Sequence, residues 1–239
     1  MPRFFIPETP GDLVRLEGEQ ARHIARSLRM KPGETLTLCD GKGFDYHCVI
    51  RQTGDTVTLQ VLEKCPVSSE PGVFLHLYQA LPKGDKMDWI IQKSVELGAS
   101  LITPVMTSRC ISRPTPEAFE KKRLRYQKIA QEAAKQSGRG IIPTVNPLRT
   151  FAQALQELEP ETRSVLFYEC GGQSVRDLIS QEEKRVSFFV GSEGGFSLEE
   201  VKQAENAGVS LASLGPRILR CETAPLCALS LFLFATGNI

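Results

Sequence analysis

The chain has 239 residues, 41% hydrophobic and 24% charged, with a formal net charge of +1. That length holds one large domain or two modest ones around a sizeable core. The composition excludes a disordered or low-complexity chain, and no apolar run approaches the roughly 20 residues needed to span a bilayer.

The opening segment, Met1 to Pro7, is too short in apolar residues to read as a signal peptide. From Glu34 to Cys39 polar and apolar residues alternate. A turn signal comes next at Asp40-Gly41-Lys42-Gly43, then further strands over Phe44 to Arg51 and Val57 to Leu62. Period-two alternation with Gly/Asp punctuation is the hairpin pattern. Glu19 to Leu28 predicts a helix with Ala21, Ile24, Ala25 and Leu28 on one face. A small β-barrel with one helix is expected for residues 1–70. Pro66 to Gly72, with Pro near both ends and Ser between, reads as a linker.

From residue 73 the pattern changes to strand–helix alternation. Strands are expected at Val73–Ala80, Leu101–Met106, Ser164–Tyr168, Arg185–Val190 and Val209–Leu214. Helices are expected at Asp85–Leu97, at Phe119–Ser137, and at Thr223–Ala235. A further helix opens on the capping box Ser197-x-x-Glu200 and closes at Gly208. Such alternation over residues 73–239 implies an α/β domain with a mainly parallel sheet.

Charge is unevenly spread. Residues 83–139 carry 12 Lys/Arg against 6 Asp/Glu, while residues 140–239 carry 8 against 12. A basic middle suits a polyanion-facing patch, and a solvated helix face explains it equally well. Seven cysteines without a C-x-x-C pair, and three scattered histidines, suggest neither a disulfide framework nor a metal site. Free thiols point to a reducing, cytoplasmic compartment.

In open parallel sheets ligands bind beyond the carboxyl ends of strands. Three expected strand ends carry loops of unusual composition: Glu169-Cys170-Gly171-Gly172, Gly191-Ser192-Glu193-Gly194-Gly195, and Gly215 to Thr223. No P-loop, dinucleotide fingerprint or nucleophile elbow is present. The runs GSEGGFSLEE (Gly191 to Glu200) and LGPRILRCETAPLCAL (Leu214 to Leu229) resemble the C-terminal motifs of the small-subunit rRNA uridine-N3 methyltransferase family. KGDKMDWIIQKSVELGASLITPVMTSRC (Lys83 to Cys110), QEAAKQSGRGIIP (Gln131 to Pro143) and the opening MPRFFI extend the resemblance over essentially the whole chain. Two positions depart from it: Ser192 stands where the family usually has Pro, and Cys221 where it usually has Thr.

The resemblance implies a SPOUT-type parallel sheet with a C-terminal trefoil knot, a PUA-like β-barrel before it, and a homodimer. It implies S-adenosyl-L-methionine as cofactor, 16S rRNA of the small ribosomal subunit as partner, and no membrane or metal. The reaction implied is methylation of uracil N3. Leu166, Phe167, Gly191, Glu193, Gly194, Gly195, Leu214, Gly215, Ile218, Leu219 and Arg220 would hold the cofactor. Glu193 would meet its amino or sulfonium charge, or simply satisfy nearby backbone.

Removing the N3 proton calls for a base or for stabilisation of the ring anion, because the N–H is as weakly acidic as a phenol of pKa about 10. Glu222 is the candidate base or orienting carboxylate, against an ordinary first-turn acid favoured by the helix dipole. Arg217 and Arg220 are candidates to hold uracil oxygens or phosphate, Arg220 alternatively pairing with Glu222. Lys86, Lys93, Arg109, Arg113, Gln136 and Arg139 are expected to bind RNA, with Lys83 beside them and Arg22, Arg26 and Arg29 widening the footprint. The rival readings are a SPOUT enzyme with another target atom, an inactive ribosome-assembly factor that binds RNA, and a small-molecule α/β enzyme. The last would need neither the barrel nor the basic middle.

Overall fold

The computed structural model describes residues 2–239. The chain packs as two units, residues 1–70 with 134–142, and residues 71–133 with 143–239.

The first unit is built on strands β1 (Arg3–Phe5), β2 (Leu13–Leu16), β3 (Thr35–Cys39), β4 (Phe44–Gln52) and β5 (Val57–Pro66). They form one sheet in the order β1-β3-β4-β5-β2, antiparallel except for the β1–β3 pair. Among the described residues no ladder joins β1 to β2, so the small barrel expected from the strand pattern is a half-barrel sheet. Alternation does its expected work. Tyr46, Cys48 and Ile50 of β4 face inward with Val57 and Leu59 of β5, and Ile24 covers them.

The helix differs from expectation. Helix α1 (Gly18–Arg22) widens into a π-turn over His23–Ser27, closed by the Leu28 N–H on the His23 carbonyl at 2.9 Å. The wider turn rotates the residues after it off the expected face, so Ala21 and Ile24 are buried but Leu28 is exposed. Nor is Pro66 to Glu70 a loose linker. Val67 N donates to Gly43 O at 2.9 Å and Ser69 Oγ to Gly138 O at 2.7 Å. Glu70 accepts from Gly140 N at 2.8 Å and from Arg139 Nη2 at 2.7 Å. Gly140 leaves no room for a side chain, since a Cβ there would overlap Val67 at 2.5 Å.

The second unit comprises β6 (Phe74–Ala80), α2 (Lys86–Glu96), β7 (Leu101–Met106), α3 (Pro116–Gln136, its last turn in the first unit), β8 (Thr144–Val145), β9 (Arg149–Thr150) and α4 (Phe151–Gln156). Next come β10 (Arg163–Phe167), β11 (Gln173–Ser174), α5 (Val175–Leu178), β12 (Arg185–Val190), α6 (Leu198–Asn206), β13 (Ser210–Ser213) and α7 (Ala224–Ala235). The sheet order is β11-β13-β10-β12-β6-β7-β8, with β9 also on β7, and every ladder is parallel. Consecutive residues Phe188 and Phe189 of β12 are both buried, as a sheet covered on both faces requires.

The expected capping box is present. Ser197 Oγ accepts from Glu200 N at 3.2 Å, and Glu200 Oε2 accepts from Ser197 N at 2.9 Å. Glu200 also takes the Ser108 N–H at 2.6 Å and its hydroxyl at 2.9 Å, tying the loop after β7 to α6. Ser197→Ala is therefore expected to cost about 1 kcal/mol in denaturant unfolding, the usual value of a cap. Glu200→Ala is expected to cost about 1–2 kcal/mol, because the part-buried N–H groups of Ser108 and Ser197 and the Ser108 hydroxyl lose their acceptor.

Candidate active site

Strands β13, β10 and β12 are neighbours in the sheet, and the three loops leaving their carboxyl ends enclose one cleft of about 560 Å³. Its walls are Phe167 to Glu169, Val190 to Gly195 and Ser213 to Cys221, with Lys86 and Ala224 beside them. That volume falls in the range of small-molecule and cofactor sites.

The β12 loop turns back on itself, with Gly195 N donating to Ser192 O at 3.0 Å. Gly195 has φ +64°, and a Cβ there would run into the Glu169 carboxylate, so the backbone is laid bare to the cleft. The buried Gln79 amide donates to Gly191 O at 3.3 Å, and Arg109 Nη1 to Gly194 O at 2.8 Å. Both hold the turn from behind.

The charges of the site converge on one ammonium. Lys86, the first residue of α2, reaches Glu193 Oε1 at 2.8 Å and Glu222 Oε2 at 3.3 Å. The Lys83 N–H adds two contacts to the Glu193 carboxylate at 3.2 Å. Burial works to raise the Glu193 carboxyl, but the hydrogen bonds from Lys86 and the backbone outweigh it and hold the group below its ordinary range. Glu222 behaves alike: burial opposes, while backbone, the Cys221 thiol and Lys86 together keep it low. The Cys221 thiol donates to Glu222 Oε2 at 3.2 Å, and burial with that bond pushes its pKa up to about 12. It is an inert donor rather than a nucleophile.

Of the cofactor candidates, Phe167, Gly191, Glu193, Gly194, Gly195, Leu214, Gly215, Ile218, Leu219 and Arg220 line the cleft together with Arg217. Leu166 does not. Its side chain is fully buried in the core with Tyr78 and Phe189, because strand alternation turns it away from the cleft that Phe167 borders. The Arg220–Glu222 pair is not formed either, Lys86 having taken the carboxylate.

The residues expected on an RNA surface are scattered. Lys86 lies in the cleft, Lys93 pairs with Glu96 at 2.8 Å, and Arg109 holds Gly194. Arg113 donates to the Cys110 carbonyl at 3.2 Å and to that of Ser108. Gln136 is exposed, whereas Arg139 is only 3% exposed and bound to Glu70, an interior role rather than a surface one. The sequence reading missed Lys86 as a member of the cleft. The usable signal was charge: two acids on adjacent ligand loops require a cation between them.

Comparison with known proteins agrees on one family. The RNA methyltransferase domain matches residues 69–233 and the RNA methyltransferase PUA domain residues 16–62. Ribosomal RNA small subunit methyltransferase E of Bacillus subtilis is 35% identical, covering 99% of this chain and 97% of that protein. The enzyme of the same name from Buchnera aphidicola (subsp. Schizaphis graminum) is 29% identical over 100% and 98%. The Neisseria gonorrhoeae ribosomal RNA small subunit methyltransferase E, crystallised with S-adenosyl methionine, is 34% identical with a TM-score of 0.89 over 98% and 97% of the two chains. A Legionella pneumophila protein solved in complex with the same cofactor is 33% identical with a TM-score of 0.85 over 98% and 97%.

Proposed function

Since this chain belongs to the RNA methyltransferase family of ribosomal RNA small subunit methyltransferase E, we propose that it methylates N3 of one uracil in 16S small-subunit rRNA with S-adenosyl-L-methionine. The observation that carries the reading is the cleft at the ends of β10, β12 and β13, which joins glycine-bared backbone to two ionised carboxylates. The residues present fit the cofactor. Backbone at Gly191 to Gly195 and Leu214 to Leu219 can read an adenine edge among apolar side chains. Glu193 offers a counter-charge to an ammonium or sulfonium. When bound, the cofactor supplies an electrophilic methyl group.

The acceptor nitrogen must lose a proton of pKa about 10. A carboxylate held below its ordinary range is a weak base for that task, so Glu222 serves better to orient the uracil N–H. Arg217 and Arg220, both on the exposed side of the cleft, stabilise the charge that develops on the uracil oxygens. Glu222→Gln and Arg220→Ala are each expected to lower the methyl-transfer rate by about 10²–10³ while changing cofactor affinity by less than about threefold. Single-turnover kinetics with calorimetry checks this, and full turnover in either variant removes that residue from the mechanism.

The first unit, as a PUA-like module, and the exposed Gln136 contribute RNA contacts, with Lys93, Arg109 and Arg113 bordering the RNA path. The loops after β10, β12 and β13 are read as threading a trefoil knot. A homodimer is supported by α7, which is apolar on every side yet leaves Leu231 and Phe234 37% and 70% exposed. The free cysteines support a cytoplasmic location. An assembly factor without activity would have no need of the paired carboxylates and bare glycines that this cleft retains.

Transfer of labelled methyl groups to small subunits lacking the modification, with digestion and mass spectrometry afterwards, tests the reading. Base-methylated uridine at one position supports it. A cleft that binds no S-adenosylmethionine overturns it.

A further inference from the structure

Lys86 stands apart from the other basic residues of the chain. It begins α2, yet its ammonium contacts two segments far along the sequence, Glu193 on the β12 loop and Glu222 at the start of α7. Three separately encoded segments meet at one nitrogen. Cys221 Sγ completes the cage at 3.8 Å from that nitrogen. The lysine is two-thirds covered, so solvent screens these contacts only partly.

The distances place the two carboxylate oxygens within about 6 Å of each other. Two carboxylates that close repel each other, and without a cation between them the pair takes up a proton at a higher pH than either would alone. The other charged groups near them are engaged elsewhere or lie toward the cleft mouth. Arg109 is bonded to Gly194 O, the Glu169 carboxylate sits against Gly195, and the exposed Arg217 and Arg220 line the outer side. No second ammonium or guanidinium within ion-pair distance of Glu193 or Glu222 occurs among the described residues.

We propose that Lys86 is a positioning residue of the cofactor cleft, whose ammonium bridges Glu193 and Glu222, joins the two ligand loops to α2, and holds the Glu193 carboxylate toward a cationic cofactor and that of Glu222 toward the methyl acceptor. This rests on the reading of the cleft as an S-adenosylmethionine site. It removes Lys86 from the RNA surface and gives it a task inside the cleft. It also explains the presence of an unreactive thiol at Cys221, which supplies a further donor to the same carboxylate.

The test is cofactor affinity as a function of pH, measured by calorimetry with S-adenosylmethionine on the full-length protein. Wild type should bind with nearly constant affinity from about pH 7, below which the cofactor's amino group is charged, down to about pH 5, because both carboxyls titrate below their ordinary value of 4.5. Lys86→Met should bind about 10-fold more weakly, because the two ligand loops lose the tie that holds them in the binding geometry before the cofactor arrives. Its affinity should also fall further between about pH 7 and pH 5, as the shared proton is taken up. Lys86→Arg should restore most of the affinity and the flat profile.

If Lys86→Met fails to fold, Lys86→Met combined with Glu222→Gln removes the repulsion, and should fold, bind weakly and regain a flat profile. A Lys86→Met protein with wild-type affinity and a flat profile overturns the proposal, as does a double variant that keeps the steep profile. Failure of the wild type to bind the cofactor at all would instead overturn the reading of the cleft, so the two failures are distinguishable.

Discussion

Glu70→Ala is expected to destabilise the first unit by about 3–5 kcal/mol, the cost of breaking a buried ion pair from one side. The Arg139 side chain is 3% exposed and that of Glu70 16%. Deleting the carboxylate takes from a nearly buried guanidinium the acceptor that holds it at 2.7 Å. It also orphans the Gly140 N–H, bound at 2.8 Å, and the Ile141 N–H, bound at 3.1 Å. Urea unfolding followed by far-ultraviolet dichroism, with the fluorescence of Trp89 as the separate reporter of the second unit, checks the magnitude. Replacing both partners by apolar residues of similar size, as in Glu70→Leu with Arg139→Met, should recover much of the loss on the ionic side, since the nearly buried ion pair is then removed whole. A loss below about 1 kcal/mol in Glu70→Ala would show that the pair is solvated and the segment loosely held.

Gly195→Val is expected to abolish measurable binding of S-adenosylmethionine, a loss of at least about 100-fold. Two effects add. A β-branched residue at φ +64° is strained by roughly 1–2 kcal/mol. In addition its side chain projects at the Glu169 carboxylate, across the space that the bare backbone leaves open. The exposed Glu169 side chain must then swing aside or the loop must open, and since Glu169 lines the cleft either one changes the wall that faces the ligand. Calorimetry on a variant whose far-ultraviolet dichroism matches wild type separates this local damage from unfolding. Binding within about fivefold of wild type would mean that the glycine serves the turn alone.

Long periodic elements were legible before any coordinates. The parallel strands at residues 101–106 and 185–190 and the capping box at Ser197 arise from local chemistry, which neighbours in sequence carry complete. The pieces missed between residues 144 and 178 span two to six residues each, too few for a period to declare itself. The π-turn after Arg22 was invisible because a helical face predicts 3.6 residues per turn and cannot announce one wider turn. Arg139 was misplaced for a different reason. Its partner is 69 residues away, and only the fold reveals that a guanidinium in a basic stretch is spent inside. Glycine-rich loops after three predicted strands placed the cleft, and the family resemblance named ten of the residues that line it, whereas Lys86 was assigned to RNA because its position at a helix start does not tell which way the side chain reaches.

The first unit is discontinuous, since residues 134–142 belong to it although residues 71–133 intervene. A ribosome adding roughly 5–20 residues per second needs several seconds to cross that interval. Throughout it, the nascent first unit has its strands but not its closing segment, and Glu70 waits for a guanidinium that has not been made. The usual order of synthesis, in which an amino-terminal module finishes before the next begins, is therefore denied to this protein. A message cut short anywhere within helix α3 before Arg139 yields a fragment in which neither unit is whole.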